Sequence, residues 1–140
     1  LLGIWSQQKS YGIAQWQADS ITDSFQLQET VRFENCNKLY RPWHLDFFEW
    51  NGKTYAIVQS NQCNADVCLA ESADGVHFRM FPKPLMTNAT CGKVGIYKPT
   101  GGVVNGNFYL YYTAQEPNNR SLNKLFVTEH DMSTLLEKIV

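Results

Sequence analysis

The residues best suited to chemistry gather in two short phrases. The first is Tyr40-Arg41-Pro42-Trp43-His44-Leu45-Asp46, and the second is Tyr97-Lys98-Pro99. Asp46 is the one carboxylate within either phrase. In an extended chain, side chains two positions apart share a face. His44, Asp46, Phe48 and Trp50 therefore stand on one side, and Leu45, Phe47 and Glu49 on the other. A carboxylate beside an imidazole can take up or deliver a proton; its simpler use is to accept hydrogen bonds from nearby backbone amides. Arg41 and Lys98 hold equivalent places ahead of their prolines. A cation there can grip an anionic group, Arg in bidentate fashion, or can close a salt bridge to a neighbouring strand. Tyr40, Trp43 and Tyr97 offer flat apolar faces, for stacking on a ligand or for packing between sheets.

Other candidates carry less. Glu71 falls on an expected third strand and Glu116 on an expected loop, so neither is a favoured acid or base. His77 and His130 fall on or near outer strands, and no second His or Asp stands at ligand spacing, so no metal site is implied. Nothing in the sequence calls for a cofactor. Cys63 and Cys68 flank Asn64-Ala65-Asp66-Val67, while Cys36 and Cys91 stand alone. A zinc site wants tighter pairs and a matching second pair; a cross-loop disulfide or buried free thiols remain open. Asn88-Ala89-Thr90 and Asn119-Arg120-Ser121 match the glycosylation tripeptide, a pattern frequent by chance.

The elements that must position these residues read as strands. Leu45 to Trp50 turns at Asn51-Gly52 into Thr54 to Gln59, and Gly101 to Val104 turns at Asn105-Gly106 into Asn107 to Thr113. Asn-Gly between apolar runs is a strong hairpin signal, because both turn positions want positive φ. Val67 to Ser72 and Val76 to Met80 follow the first hairpin across Ala73-Asp74-Gly75. Lys124 to Glu129 follows the second. Leu2 to Ser6, Tyr11 to Trp16 and Phe25 to Val31 suggest an earlier, imperfect copy, and Asp131 caps a short closing helix to Lys138. The two clear copies recur about 55 residues apart, and a strand-built period near ~50 residues marks propeller blades rather than a solenoid. The expected fold is all-β, with four-stranded antiparallel blades over residues 1–38, 39–95 and 96–140. Three blades cannot close a ring, which implies either a homo-oligomer or the remainder of a longer chain.

Composition narrows the function classes. Hydrophobic residues make up 44% and charged residues 18% of 140 residues, which suits a folded soluble domain. A net charge of −1 without a basic block argues against a nucleic-acid partner. No apolar run approaches the ~20 residues that span a bilayer, so no membrane partner is implied. No charged-then-apolar signal segment opens the sequence, and localisation stays open.

Trp43-His44-Leu45-Asp46, Asn51-Gly52-Lys53-Thr54-Tyr55 and Leu69-Ala70-Glu71-Ser72-Ala73-Asp74-Gly75-Val76-His77-Phe78 resemble consecutive parts of one blade in the five-bladed β-propeller glycoside hydrolases, the group of arabinanases, xylosidases and invertase-like enzymes. Ile96-Tyr97-Lys98-Pro99 before Gly106-Asn107-Phe108-Tyr109-Leu110-Tyr111-Tyr112 is similar to a second such phrase. The resemblance covers roughly residues 39 to 130. It implies hydrolysis of glycosidic bonds by paired carboxylates on inner strands, with a carbohydrate ligand. Asp46 resembles the inner-strand aspartate, and Trp43, His44, Arg41, Tyr97 and Lys98 become substrate-binding candidates. Cations at the lead-in then suit a carboxylate-bearing or phosphorylated sugar. The chain departs from the pattern at Tyr97-Lys98-Pro99, where the resemblance expects a Glu-x-Pro phrase carrying the general acid. The resemblance therefore also allows a non-catalytic carbohydrate-binding or structural fragment.

Overall fold

The computed structural model describes residues 2–7, 10–34, 42–60 and 66–140. Tyr40, Arg41, Cys36 and Cys63 lie outside the described residues, and with them any Cys63–Cys68 pairing. The described chain is all-β apart from two short helices. Ten strands run β1 (Leu2–Gln7), β2 (Ser10–Gln17), β3 (Gln26–Glu34), β4 (Pro42–Trp50), β5 (Lys53–Ser60), β6 (Val67–Ser72), β7 (His77–Met80), β8 (Val94–Val104), β9 (Asn107–Glu116) and β10 (Asn119–Asp131). Helix α1 (Asn88–Cys91) precedes β8 and α2 (Met132–Ile139) closes the chain.

Both Asn-Gly pairs form the tight turns that their residue types demand. Asn51 and Gly52 have φ of 49° and 72°, and Asn105 and Gly106 have φ of 51° and 82°. With both central residues left-handed, the turn's twist matches that of the flanking strands. Trp50 therefore pairs with Lys53, and Val104 with Asn107. β4–β7 form an antiparallel meander, and β8–β10 form a separate three-stranded sheet. β3 runs parallel to β7, pairing Arg32 with His77 and Phe33 with Phe78. The strands of the N-terminal stretch and those of the middle stretch thus make one seven-stranded sheet, in the order β1-β2-β3-β7-β6-β5-β4.

That sheet curls. Ile13 and Val31 of β2 and β3 share a buried cluster with Ala56, Val58, Ala70, Phe78 and Met80 from β5–β7, which a flat sheet would keep apart. On the opposite face Tyr55, Ile57, Val67 and Leu69 pack with Ile96, Phe108, Leu110, Tyr112 and Ala114 of β8 and β9. β5 is consequently buried on both sides from Tyr55 to Gln59, which explains its near-continuous apolar run. The β4 alternation is realised: Phe48 and Trp50 pack on the cluster shared with β8–β9, and Leu45 and Phe47 on the other.

The expected closing helix is present. Asp131 Oδ1 accepts from Thr134 N at 2.8 Å, the cap that the sequence anticipates. Met132, Leu135 and Ile139 turn one face into the core, and Met132 N donates to Gly106 O at 3.0 Å. The last helix is thereby seated on the second Asn-Gly turn. Helix α1 has no apolar periodicity to announce it; a reciprocal capping box between Thr87 and Thr90 starts it, and left-handed Gly92 ends it.

Candidate functional site

The two phrases meet where β4 faces β8. On β4 the pairing slips between Pro42 and His44, a bulge that leaves Trp43 44% exposed. His44 follows it, edge-on to Trp43 at 5.9 Å and to Tyr97 of β8 at 4.6 Å between ring centroids. Tyr97 is 42% exposed. The Lys98 ammonium lies 5.4 Å from the Tyr97 ring centroid, in the range of a cation–π contact. The structure therefore brings Trp43, His44, Tyr97 and Lys98 into one cluster, with Asp46 two positions along β4.

β8 reaches this place by bending. Its ladder slips on both sides of Tyr97, and Lys98 takes a left-handed φ of 49°. Gln59 holds the bend. This side chain is only 2% exposed; its Oε1 accepts from Lys98 N at 3.1 Å, and its Nε2 donates to Ile96 O. A buried amide satisfied at both ends clamps β5 to β8 and supplies the partners that the bulged ladder lacks. Sequence reasoning missed Gln59. The available signal is a lone amide closing the apolar run Tyr55 to Val58, in register opposite His44.

Asp46 is a second clamp. Oδ1 accepts from Phe47 N at 2.9 Å, and Oδ2 accepts from Gly101 N at 3.0 Å and from the Thr100 hydroxyl. The carboxylate thus ties β4 to β8 across the junction. Gly101 is required there for a second reason: a Cβ at this position would collide with the Tyr109 carbonyl oxygen and press on Ile57 Cδ1. Thr100 and Gly101 are residues of this junction that sequence analysis did not single out.

The imidazole of His44 is the unresolved polar group. Its Nε2 is buried and has no hydrogen-bond partner. Burial, and secondly the Lys98 charge, push its pKa below the ordinary value of 6.5, which favours the neutral ring. Leaving a buried donor or acceptor unpaired costs about 1–3 kcal/mol.

Glu71, Glu116 and Asp74 have structural partners. Glu71 receives Lys53 at 2.8 Å and Arg79 at 2.6 Å. Burial acts to raise its pKa, but the two cations outweigh it and the net shift is downward. Glu116 pairs with Lys93 at 2.8 Å. Asp74 caps the β6–β7 turn through Val76 N, His77 N and Ser72 Oγ, while the His77 ring contacts its other oxygen. The Cys91 thiol lies over the Asn88 carbonyl at 3.7 Å. Among the described residues no cluster of His, Cys, Asp and Glu could hold a metal ion, and no helix is long and apolar enough to cross a membrane. An open cavity of about 420 Å³ at the β2–β3 turn, lined by Asp19, Asp23 and Gln26 among others, shares no residue with the junction.

The fold has relatives among solved structures. A glycosyl hydrolase from Bacteroides ovatus superposes with a TM-score of 0.54 at 18% identity, over 74% of this chain and 31% of its own. A structure of the GH130 family of mannoside phosphorylases, which contains glycoside hydrolases that target β-1,2-mannosidic linkages in Candida mannan, gives 0.53 at 20%, over 66% and 29%. An N-acetylgalactosamine deacetylase from F. plautii, in complex with blood group B trisaccharide, gives 0.68 at 17%, over 94% and 44%. This chain therefore spans less than half the length of each. The sequence matches no protein-family profile and no curated protein. At these identities the likeness is one of fold.

Proposed function

We propose that this chain is part of a carbohydrate-acting protein and that the β4–β8 junction is its glycan-binding surface. One observation carries the reading: two half-exposed aromatics, Trp43 and Tyr97, flank an imidazole whose buried Nε2 has no partner. Flat apolar rings suit the apolar face of a pyranose, and an unsatisfied ring nitrogen suits a sugar hydroxyl. The neighbours in fold, two of glycoside hydrolase type and one a deacetylase bound to a trisaccharide, support the same class of ligand. In this reading the antiparallel meander β4–β7 and the sheet β8–β10 are blades of a five-bladed propeller, and Val104, Tyr111, Leu125 and Val127, exposed on the last sheet, face the next blade. Asp46 acts as a positioning residue, holding Thr100 and Gly101 so that the Trp43–His44 and Tyr97–Lys98 halves keep their spacing.

Hydrolysis is the second reading, favoured by the placement of Asp46 on the same face of β4 as His44. Glycosidic cleavage needs a proton donor as well as a base or nucleophile. Tyr97 stands where the family resemblance expects that glutamate, so the carboxylic acid would be supplied from outside the described residues, as would any help from Arg41. Titration with an array of oligosaccharides, followed by Trp43→Ala and Asp46→Asn, separates the two readings. Binding is expected to weaken about tenfold or more in Trp43→Ala, the cost of one lost stacking contact. In Asp46→Asn a binding surface loses affinity only modestly, through the loosened hold on Thr100 and Gly101, whereas hydrolysis falls by on the order of 10²–10⁴-fold. Unchanged glycan affinity in Trp43→Ala would sink the proposed surface.

A further inference from the structure

The charge at the junction narrows the ligand class, on the premise that the junction binds glycan. Lys98 has φ of 49°, a region that costs a residue with a Cβ about 1 kcal/mol and that Gly or Asn would occupy more cheaply. The backbone is held there by Gln59 and by the two slips in the β8 ladder. Strain kept at one place is a reason to ask what the side chain does. Lys53 and Lys93 each have a glutamate at 2.8 Å, and the Lys83 ammonium is held by the Lys138 carbonyl at 3.2 Å. Lys98, by contrast, forms no ion pair with any described residue and lies only over the Tyr97 ring.

The facing strand does not neutralise it. Asp46 has both oxygens engaged by Phe47, Thr100 and Gly101, and Glu49 points to the opposite side of β4. Among the described residues, the junction thus holds an uncompensated ammonium, an unpartnered buried ring nitrogen on His44 and no uncommitted carboxylate. We propose that the junction selects acidic glycans, with the anionic group of the sugar held between Lys98 Nζ and His44 Nε2 and its ring against Trp43 or Tyr97. The Nε2 tautomer that carries hydrogen donates to this anion, and the ammonium supplies the charge-assisted contact. A uronate carboxylate and a sulfate or phosphate ester share this chemistry.

The test titrates the protein with paired probes: short oligogalacturonates against their methyl esters, and sulfated or phosphorylated oligosaccharides against the same sugars stripped of ester. At low salt, at least one acidic probe is expected to bind about tenfold tighter than its neutral counterpart, the worth of one charge-assisted hydrogen bond. Whichever pair shows the difference identifies carboxylate or ester as the source. The advantage should vanish in Lys98→Met and in Lys98→Gly. The glycine variant relaxes the left-handed backbone and should melt no lower than wild type, so its loss of selectivity is not unfolding. Equal affinity for acidic and neutral partners overturns the acidic preference while the glycan surface stands. Failure of every carbohydrate to bind, or binding indifferent to Trp43→Ala, overturns both.

Discussion

The two Asn-Gly hairpins start from closely similar sequences and finish in different surroundings. In β5 every residue from Tyr55 to Gln59 is buried, because β2 and β3 curl over one face and β8–β9 cover the other. In β9 only Phe108, Leu110, Tyr112 and Ala114 are buried, and Tyr111 between them is exposed. Turn geometry is the same in both, since it needs only Asn and Gly with positive φ. Burial differs because it is set by how many layers lie against each sheet. The hairpin is a local product of sequence, and the depth of its core is not.

The contrast should appear first in core truncations. Ile57→Ala in the doubly covered strand is expected to cost about 2–5 kcal/mol, whereas Tyr111→Ala on the open face of β9 should stay within ~0.5 kcal/mol. Urea unfolding of the two variants measures the gap; similar losses would mean that the outer face of β8–β10 is covered in solution. Next comes the link between the hairpins. Gln59→Leu leaves Lys98 N and Ile96 O without their partner, at about 1–3 kcal/mol. It should also weaken glycan binding by freeing the Lys98 bend, so a stability loss with unchanged binding would separate the clamp from the site.

The smallest effect is electrostatic and depends on pH. The folded pKa of Glu71 lies below its ordinary value of 4.5: burial opposes the shift, and the hydrogen bonds from Lys53 and Arg79 override it. Between that ordinary value and the lowered one, the unfolded chain binds more protons than the folded chain. The contribution is therefore present in full above the ordinary value and is lost as pH falls through the folded one. Both partners are largely exposed, so Glu71→Gln should cost only about 0.5–1 kcal/mol near neutrality. The cost should vanish in acid, as thermal melts across the pH range would record.

Much of this architecture was legible in the residues. The Asn-Gly pairs, the β4 alternation and the Asp131 cap all depend on interactions within a few positions, and each appears where the sequence indicates. β8 begins at Val94 rather than Gly101. Two bulges and a left-handed lysine carry that strand past Tyr97-Lys98-Pro99, and no local pattern encodes them. The parallel pairing of β3 with β7 was likewise invisible, because either edge of the meander offers the same unpaired backbone groups and only the curl of the sheet selects one.

The candidate site divides along the same line. Residue types and spacing, read together with the family resemblance, singled out Trp43, His44, Asp46, Tyr97 and Lys98, since aromatic, acidic and cationic side chains advertise what they can bind. That Asp46 spends its oxygens on Thr100 and Gly101, that Gln59 holds the Lys98 backbone, and that His44 Nε2 is left without a partner were decided by tertiary structure. These contacts join β4 or β5 to β8, more than thirty residues away in the chain. A hydrogen bond between strands so far apart depends on how two sheets pack, and a sequence records only what each strand brings to that meeting.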